Sequence, residues 1–288
     1  MAAFFSTLRK LAYNEEAFTK RRLGIDFSAL RSISPGAALI LAAELYRLQK
    51  FLGIKLRAVR QHEWDPAIAR LLGELGLFNL LETPNVDHAG VGTDDSVSII
   101  KFSVDTMVTA DKCGVLLDGL SDIAGAIHAD NFIYDGLTEA IKNAVHHAYS
   151  EPKQWFGVPS GTWFMTGSYD RSEKRLTAAV FDLGVGIPHT LPRSGILEHL
   201  RQVLSLGFGP DDGKMIAAAM EYGRSRIMLK ERGRGLPVIM RLLDHHQGYL
   251  RIVSGKGEAM YDSLTKTIRE TSHAESIGGT LIEWSIKQ

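Results

Sequence analysis

Apolar residues in the first third of the chain recur at strand and helix spacings, and they predict a small α/β unit over residues 24–82. The short apolar segment 23–27 is typical of a buried strand. Ser34 and Pro35 have the residue types of a helix N-cap and a first helical position, and Gly53 has that of a C-cap. The apolar residues between these caps predict one long helix.

A second strand and a second helix complete this unit. Residues 54–59 alternate between apolar and charged, as in a half-buried strand, and Asp65 with Pro66 begins a further helix. Strands that alternate with helices in this way predict a parallel or mixed sheet covered by helices. The turn-rich residues 83–95 then mark a linker or a long loop.

The rest of the chain contains further predicted strands and helices. We expect strands at residues 96–103, 163–169, 176–182, 249–254 and 279–286, and helices at residues 113–128, 132–149, 200–206, 214–222 and 236–246. Residues 1–22 are amphipathic and predict a leading helix that packs on the protein or on a partner. An interfacial anchor or a targeting helix is the alternative, and Glu15 and Glu16 disfavour the targeting helix.

Composition limits the class of protein. Lys and Arg number 33, Asp and Glu also number 33, and 45% of the residues are hydrophobic. These values exclude disorder for most of the chain and disfavour nucleic-acid binding through overall charge. The most apolar run, residues 36–45, is far shorter than the roughly 20 residues of a membrane-spanning helix. Cys113 is the one cysteine, which excludes an intramolecular disulfide. We therefore expect a globular cytoplasmic protein that binds neither membranes nor nucleic acid.

The clearest helix of the second half carries two polar residues on one face. Glu139 and Asn143 are one helical turn apart, so their side chains lie on the same side of the helix. An amide oxygen can coordinate a Mg²⁺ ion that bridges phosphates, and a carboxylate one turn earlier can deprotonate a water or a hydroxyl. An ordinary amphipathic helix shows the same pattern, so this motif alone decides nothing.

Three glycine-rich motifs follow. An apolar strand ends at Asp182, whose carboxylate can accept a hydrogen bond from an exocyclic amine such as that of adenine, and Gly184 and Gly186 then permit a tight turn. Residues 231–238 contain two glycines and lead into a helix, so they present backbone N–H groups of the kind that bind phosphates. A glycine pair before Thr280 enters the last strand.

The ordered set of four motifs resembles the GHKL ATP-binding fold, which gyrase-type topoisomerases, Hsp90 chaperones, histidine kinases and MutL share. The first motif is similar to the N box of that family, and the next three are similar to its G1, G2 and G3 boxes. The resemblance implies a mixed sheet backed by helices, with ATP and Mg²⁺ as ligands, Glu139 as the general base and Asn143 as the Mg²⁺ ligand. The implied cofactor-binding residues are Asn143, Asp182, Gly184, Gly186, Gly233, Arg234, Gly235, Leu236 and Thr280.

The resemblance also implies a mobile lid over the nucleotide, here residues 188–232. The end of this lid is basic, and one of its cations is expected to contact the γ-phosphate. One departure from the family is His146, which stands where histidine kinases often carry a phosphate-contacting lysine. That difference puts this contact in doubt.

Residues 24–82 resemble a different family, the STAS domains, which are anti-sigma-factor antagonists regulated by GHKL-type serine kinases. In that family the turn before the helix carries a serine that is phosphorylated. Here Gly36 stands at the acceptor position and Ser34 replaces an aspartate, so phosphorylation of this turn is not expected. The predicted organisation is an N-terminal helix at residues 1–23, a STAS-like domain at residues 24–92 and a GHKL domain at residues 93–288.

Two functions fit this α/β (α+β) organisation. The first is an Mg-ATP-binding ATPase or serine-kinase-like switch that acts through a regulatory partner protein, with a homodimer as a further option. The second is an ATP-sensing scaffold with little or no turnover. A histidine kinase is disfavoured because no long helical hairpin with an acceptor histidine precedes the ATP-binding part. A topoisomerase, MutL or Hsp90 is disfavoured because the sequence stops just after Trp284.

Overall fold

The first unit of the protein is a small α/β arrangement. The computed structural model describes residues 24–84, 96–125, 130–150, 157–191, 211–228, 240, 243 and 246–287. The elements of this unit are β1 (Gly24–Ile25), α1 (Pro35–Leu52), β2 (Arg57–Ala58), a 3₁₀ helix (Gln61–Glu63), α2 (Pro66–Glu74) and α3 (Leu77–Leu80). β1 and β2 pair in parallel, as the alternation predicts. The predicted leading helix at residues 1–22 lies outside the described residues.

Capping residues set the helix boundaries of this unit. The Ser34 hydroxyl accepts a hydrogen bond from the Ala37 N–H at 3.4 Å, and α1 ends at Gly53, whose φ of 61° is left-handed. At the start of α2, the Asp65 carboxylate accepts a hydrogen bond from the Ala67 N–H at 3.0 Å. The predicted caps of both helices are therefore confirmed.

An eight-stranded sheet follows. Its strands are β3 (Val97–Ile99), β4 (Ser103–Asp105), β5 (Trp163–Asp170), β6 (Arg175–Asp182), β7 (Gly248–Ser254), β8 (Gly257–Asp262), β9 (Thr267–Ser272) and β10 (Thr280–Lys287). The strand order is β3-β5-β6-β10-β7-β8-β9, with β4 also paired to β5. The strand pairs of this sheet that the structure describes are all antiparallel, so the mixed sheet implied by the resemblance is wrong for them.

The helices beside the sheet for which the described residues give bounds are α4 (Ala110–Ala124), α5 (Asp130–His147), α6 (Ile187–Thr190) and α7 (Asp212–Met228). Two sequence predictions need correction. The expected strand at residues 96–103 is broken into β3 and β4, because the Phe102 N–H donates to the Leu75 carbonyl at 3.0 Å instead of to β5. The hairpin of β8 and β9 is not predicted by the sequence pattern.

Helices cover both faces of the sheet. α1 packs on β5, β6 and β10 on one face, while α4, α5 and α7 pack on strands of the other. Alternate residues of β10 lie on opposite faces of the sheet. Leu281 belongs to the core shared with α1, and Ile282 belongs to the core shared with α5. The first unit and the sheet therefore share one hydrophobic core, on both sides of the domain boundary predicted at residue 92.

Two contacts define how α1 meets the sheet. Tyr46 packs edge-to-face on Phe164 of β5, with ring centroids 5.5 Å apart. At the first turn of α1, a Cβ added to Gly36 would overlap the carboxylate of Glu283 on β10. Burial raises the pKa of Glu283, and Arg251, whose Nη1 lies 3.9 Å from Oε1, opposes that shift. A side chain at position 36 would therefore have to displace the buried carboxylate of Glu283.

We expect Gly36→Ala to lower the free energy of unfolding by about 1–3 kcal/mol, because the added methyl group must displace the Glu283 carboxylate. Gly114→Ala is the matched control, since Gly114 also lies in a helix and a Cβ added there meets nothing within 4 Å. The control should raise stability by about 0.5–1 kcal/mol. Urea unfolding followed by circular dichroism measures both, and shifts of the same sign would contradict the account of this contact.

Candidate functional site

Three neighbouring strands place a polar residue at the same edge of the sheet. β6 ends at Asp182, β10 begins at Thr280 and β7 ends at Ser254, and Thr280 pairs with both of the others. Their exposed fractions are 7%, 5% and 0%. The Thr280 and Ser254 hydroxyl oxygens are 2.9 Å apart. The register thus brings the two predicted residues side by side and adds Ser254, which the sequence motifs do not single out. We call these three residues the Asp182 row.

Asp182 is a buried carboxylate whose described partners are backbone groups. Its Oδ1 accepts a hydrogen bond from the Gly184 N–H at 2.8 Å. Burial raises the pKa of Asp182 to about 7, although hydrogen bonds from the Gly184 and Thr280 N–H groups oppose the shift. Among the described residues, no cationic side chain contributes to this pKa. A carboxylate can accept about four hydrogen bonds, so acceptor capacity remains for a donor on a ligand.

The turn after β6 packs against the end of α5. The Val185 N–H donates to the Ala148 carbonyl at 2.8 Å, and a Cβ on Gly184 would overlap that same carbonyl. Gly186 has a φ of 91°, and a Cβ there would lie 3.0 Å from the Ser254 hydroxyl oxygen. Both glycines are therefore required by the backbone geometry of this turn, independently of any ligand.

Side chains hold this turn from two sides. The Ile187 N–H donates to the Ser254 hydroxyl at 2.8 Å. On the other side, the Tyr149 hydroxyl accepts a hydrogen bond from the Leu183 N–H at 3.1 Å and donates to the Thr162 carbonyl. Burial raises the pKa of Tyr149, so its hydroxyl keeps the proton that it donates. Like Ser254, Tyr149 is missed by the motifs, because its partners are remote in sequence.

Glu139 and Asn143 lie one turn apart on α5, as predicted. Glu139 is 8% exposed, and the Lys142 Nζ lies 3.8 Å from its Oε2. Asn143 is half-buried, and its side-chain amide has no hydrogen-bond partner among the residues that the structure describes. Because Ala148, the residue directly after α5, contacts the turn after β6, the first two motifs meet in the fold. The fourth motif joins them through Thr280.

The third motif and most of the lid lie outside the described residues. This applies to Gly233, Arg234, Gly235 and Leu236 and to the lid residues 192–210 and 229–232. The described residues of the lid are 188–191 and 211–228. Most of them form α7, whose Ile216 and Met220 are buried in the core shared with α5. The helix predicted at residues 214–222 is therefore confirmed and is longer than expected, and the mobility of the lid stays a prediction.

The described side chains contain no group of three or more His, Cys, Asp or Glu residues that could hold a metal ion. Mg²⁺ in proteins often keeps several waters and takes one or two protein ligands together with phosphate oxygens. Asn143 can supply one such ligand.

No protein-family model and no curated protein matches this chain. Within the described part, no helix is long and apolar enough to cross a membrane. Support for a function therefore comes from the residues of the site.

Proposed function

We propose that this chain is an Mg-ATP-binding protein of the GHKL type, an ATPase or a serine-kinase-like switch that acts on a partner protein. The observation that carries the proposal is the Asp182 row, in which a buried carboxylate without a described cation lies beside two hydroxyls at the ends of three paired strands. A buried carboxylate repels a phosphate, but it matches the N–H donor of a purine amine. The row therefore suits the base of a nucleotide.

Each residue of the row has a chemical role in this proposal. Asp182 accepts the hydrogen bond from the exocyclic amine, and the hydroxyls of Thr280 and Ser254 hold the neighbouring positions. A donor bound to Asp182 favours its charged form and lowers its raised pKa. Nucleotide binding should therefore tighten as the pH rises through about 7.

The residues of α5 would serve the phosphate end of the nucleotide. Asn143 would give its amide oxygen to Mg²⁺, which neutralises phosphate charge when bound. Glu139, one turn earlier, would orient or deprotonate the attacking water or hydroxyl. Its 8% exposure keeps competing water away from the carboxylate. The glycine-rich residues 233–236 would donate backbone N–H groups to the phosphates.

An ATP-sensing scaffold is the second candidate function. The observation that favours it is the path of β10, which carries Thr280 in the Asp182 row and Leu281 in the core shared with α1. A nucleotide bound at one end of this strand would contact the element on which the first unit packs. Such a protein would signal through the surface of the first unit without turnover.

Phosphate release from Mg-ATP separates these two functions. We expect Glu139→Gln to lower the rate about 100-fold or more, because it removes the base while keeping the shape of the side chain. ATP affinity should stay within about twofold. Glu173→Gln, at an exposed turn between β5 and β6, is the matched control and should keep full activity. Unchanged release by Glu139→Gln would contradict the role of Glu139, and binding without release by the wild type would favour the scaffold.

A further inference from the structure

The turn between β7 and β8 connects the Asp182 row with α7. Ser254 ends β7, and the next residue, Gly255, donates its N–H to the Gly279 carbonyl at 3.2 Å. One residue further, the Lys256 N–H donates to Oδ2 of Asp212, the first residue of α7, at 2.8 Å. The Gly255 carbonyl also accepts from the Ile277 N–H at 2.9 Å, so the turn has two hydrogen bonds to the segment before Thr280 and another to the helix.

Two adjacent carboxylates at the start of α7 have different partners. The Asp211 Oδ1 accepts from the Lys214 N–H at 2.8 Å, and its carbonyl accepts from the Met215 N–H at 3.1 Å. The Asp211 carboxylate also has a hydrogen bond with the side chain of Ser272 on β9. Asp212 instead reaches across to the turn. The two elements also meet closely, since a Cβ on Gly257 would overlap the backbone of Asp212.

We propose that Ser254 and Asp212 are positioning residues of the nucleotide site, which act together through the β7–β8 turn. Ser254 contacts the Thr280 hydroxyl and the Ile187 N–H, so a displacement of β7 at this point changes both sides of the site. Asp212 accepts the hydrogen bond from the Lys256 N–H, two residues after Ser254, and thereby links the position of the turn to the position of α7. The geometry of the Asp182 row is then coupled to the position of α7. A nucleotide that contacts the row more favourably in one position of α7 shifts the conformational equilibrium toward that position.

The relevance to nucleotide binding rests on the proposed function, so the first readout needs no ligand. In the ligand-free full-length protein, Asp212→Ala should speed amide hydrogen exchange at residues 186–190 and 254–257 about fivefold or more. Asp211→Ala is the matched control, and it should speed exchange in the first turn of α7 and near Ser272 of β9, but not at residues 186–190. Ser254→Ala combined with Asp212→Ala should give less than the product of the two single effects, because both act on one turn.

The second readout is the affinity for the non-hydrolysable ATP analogue AMP-PNP with Mg²⁺. Asp212→Ala should weaken it about tenfold, and Asp211→Ala less than about twofold. Unchanged amide exchange at residues 186–190 in Asp212→Ala overturns the proposal. It is also overturned if Asp211→Ala speeds exchange at residues 186–190 and 254–257 as much as Asp212→Ala does. If the wild type binds no analogue, the proposed function fails, and the exchange data alone then decide whether the turn couples the two regions.

Discussion

A chain reduced to residues 93–288 is expected not to fold, because this deletion uncovers the face of the sheet on which α1 packs. α1 buries Leu39, Leu41 and Leu45 in a core that includes Phe164 and Phe181 of the sheet. Each such side chain contributes about 1.5–3 kcal/mol through burial. These three side chains alone contribute about 4.5–9 kcal/mol, which is comparable with the roughly 5–15 kcal/mol net stability of a typical protein. Circular dichroism with urea unfolding should show no cooperative transition.

A chain that lacks only residues 1–22 is the matched control. It keeps α1 and every contact described above, so it should unfold cooperatively. Residues 24–92 supplied as a separate polypeptide should restore a cooperative transition to the 93–288 chain, because they carry the missing half of the core. Cooperative unfolding by the 93–288 chain alone would contradict the shared core and support two independent domains.

Asp182→Asn should stabilise the protein at pH 8 while it impairs nucleotide binding. The pKa of Asp182 is raised from 3.8 to about 7, so its contribution to stability is fully present below pH 3.8 and is lost as the pH rises through 7. At pH 8 the wild type therefore buries a charged carboxylate and the variant buries a neutral amide. We expect a gain of about 1–3 kcal/mol in the free energy of unfolding at pH 8.

The pH dependence distinguishes this effect from a general change in packing. At pH 5 the wild-type Asp182 is largely protonated in the folded protein, so the advantage of the variant should shrink to a small fraction of its value at pH 8. Urea unfolding of both proteins at the two pH values provides the comparison. A variant that is less stable at pH 8, or one whose gain does not depend on pH, would contradict the burial of a charged carboxylate.

The features that the sequence predicts well are local ones. Ser34, Gly53 and Asp65 cap helices through partners within a few residues, so their roles follow from residue type and spacing. The role of Ser254 depends on the register with Thr280, which lies in a different strand, and no short motif contains it. The strand β9 is exposed along most of its length, so it lacks the alternation that predicts a strand.

The shared core is the largest feature that the motifs miss, and it has a signal in the sequence. α1 is apolar on nearly all sides between Gly36 and Leu45, and a helix of this kind is covered all round. A small two-stranded sheet offers too little surface to cover it. The second covering surface is the large sheet, whose strands come from much later in the chain, and local patterns cannot specify that contact.

Calorimetric titration of the wild-type protein with Mg-ATP at pH 8 tests the central claim most directly, with Asp182→Asn and inosine triphosphate as comparisons. Inosine triphosphate lacks the exocyclic amine from which Asp182 is proposed to accept a hydrogen bond. The account predicts one ATP site, with affinity about tenfold or more weaker for Asp182→Asn and for inosine triphosphate with the wild type. No ATP binding, or equal affinity for the two nucleotides and an unchanged affinity in Asp182→Asn, would contradict it.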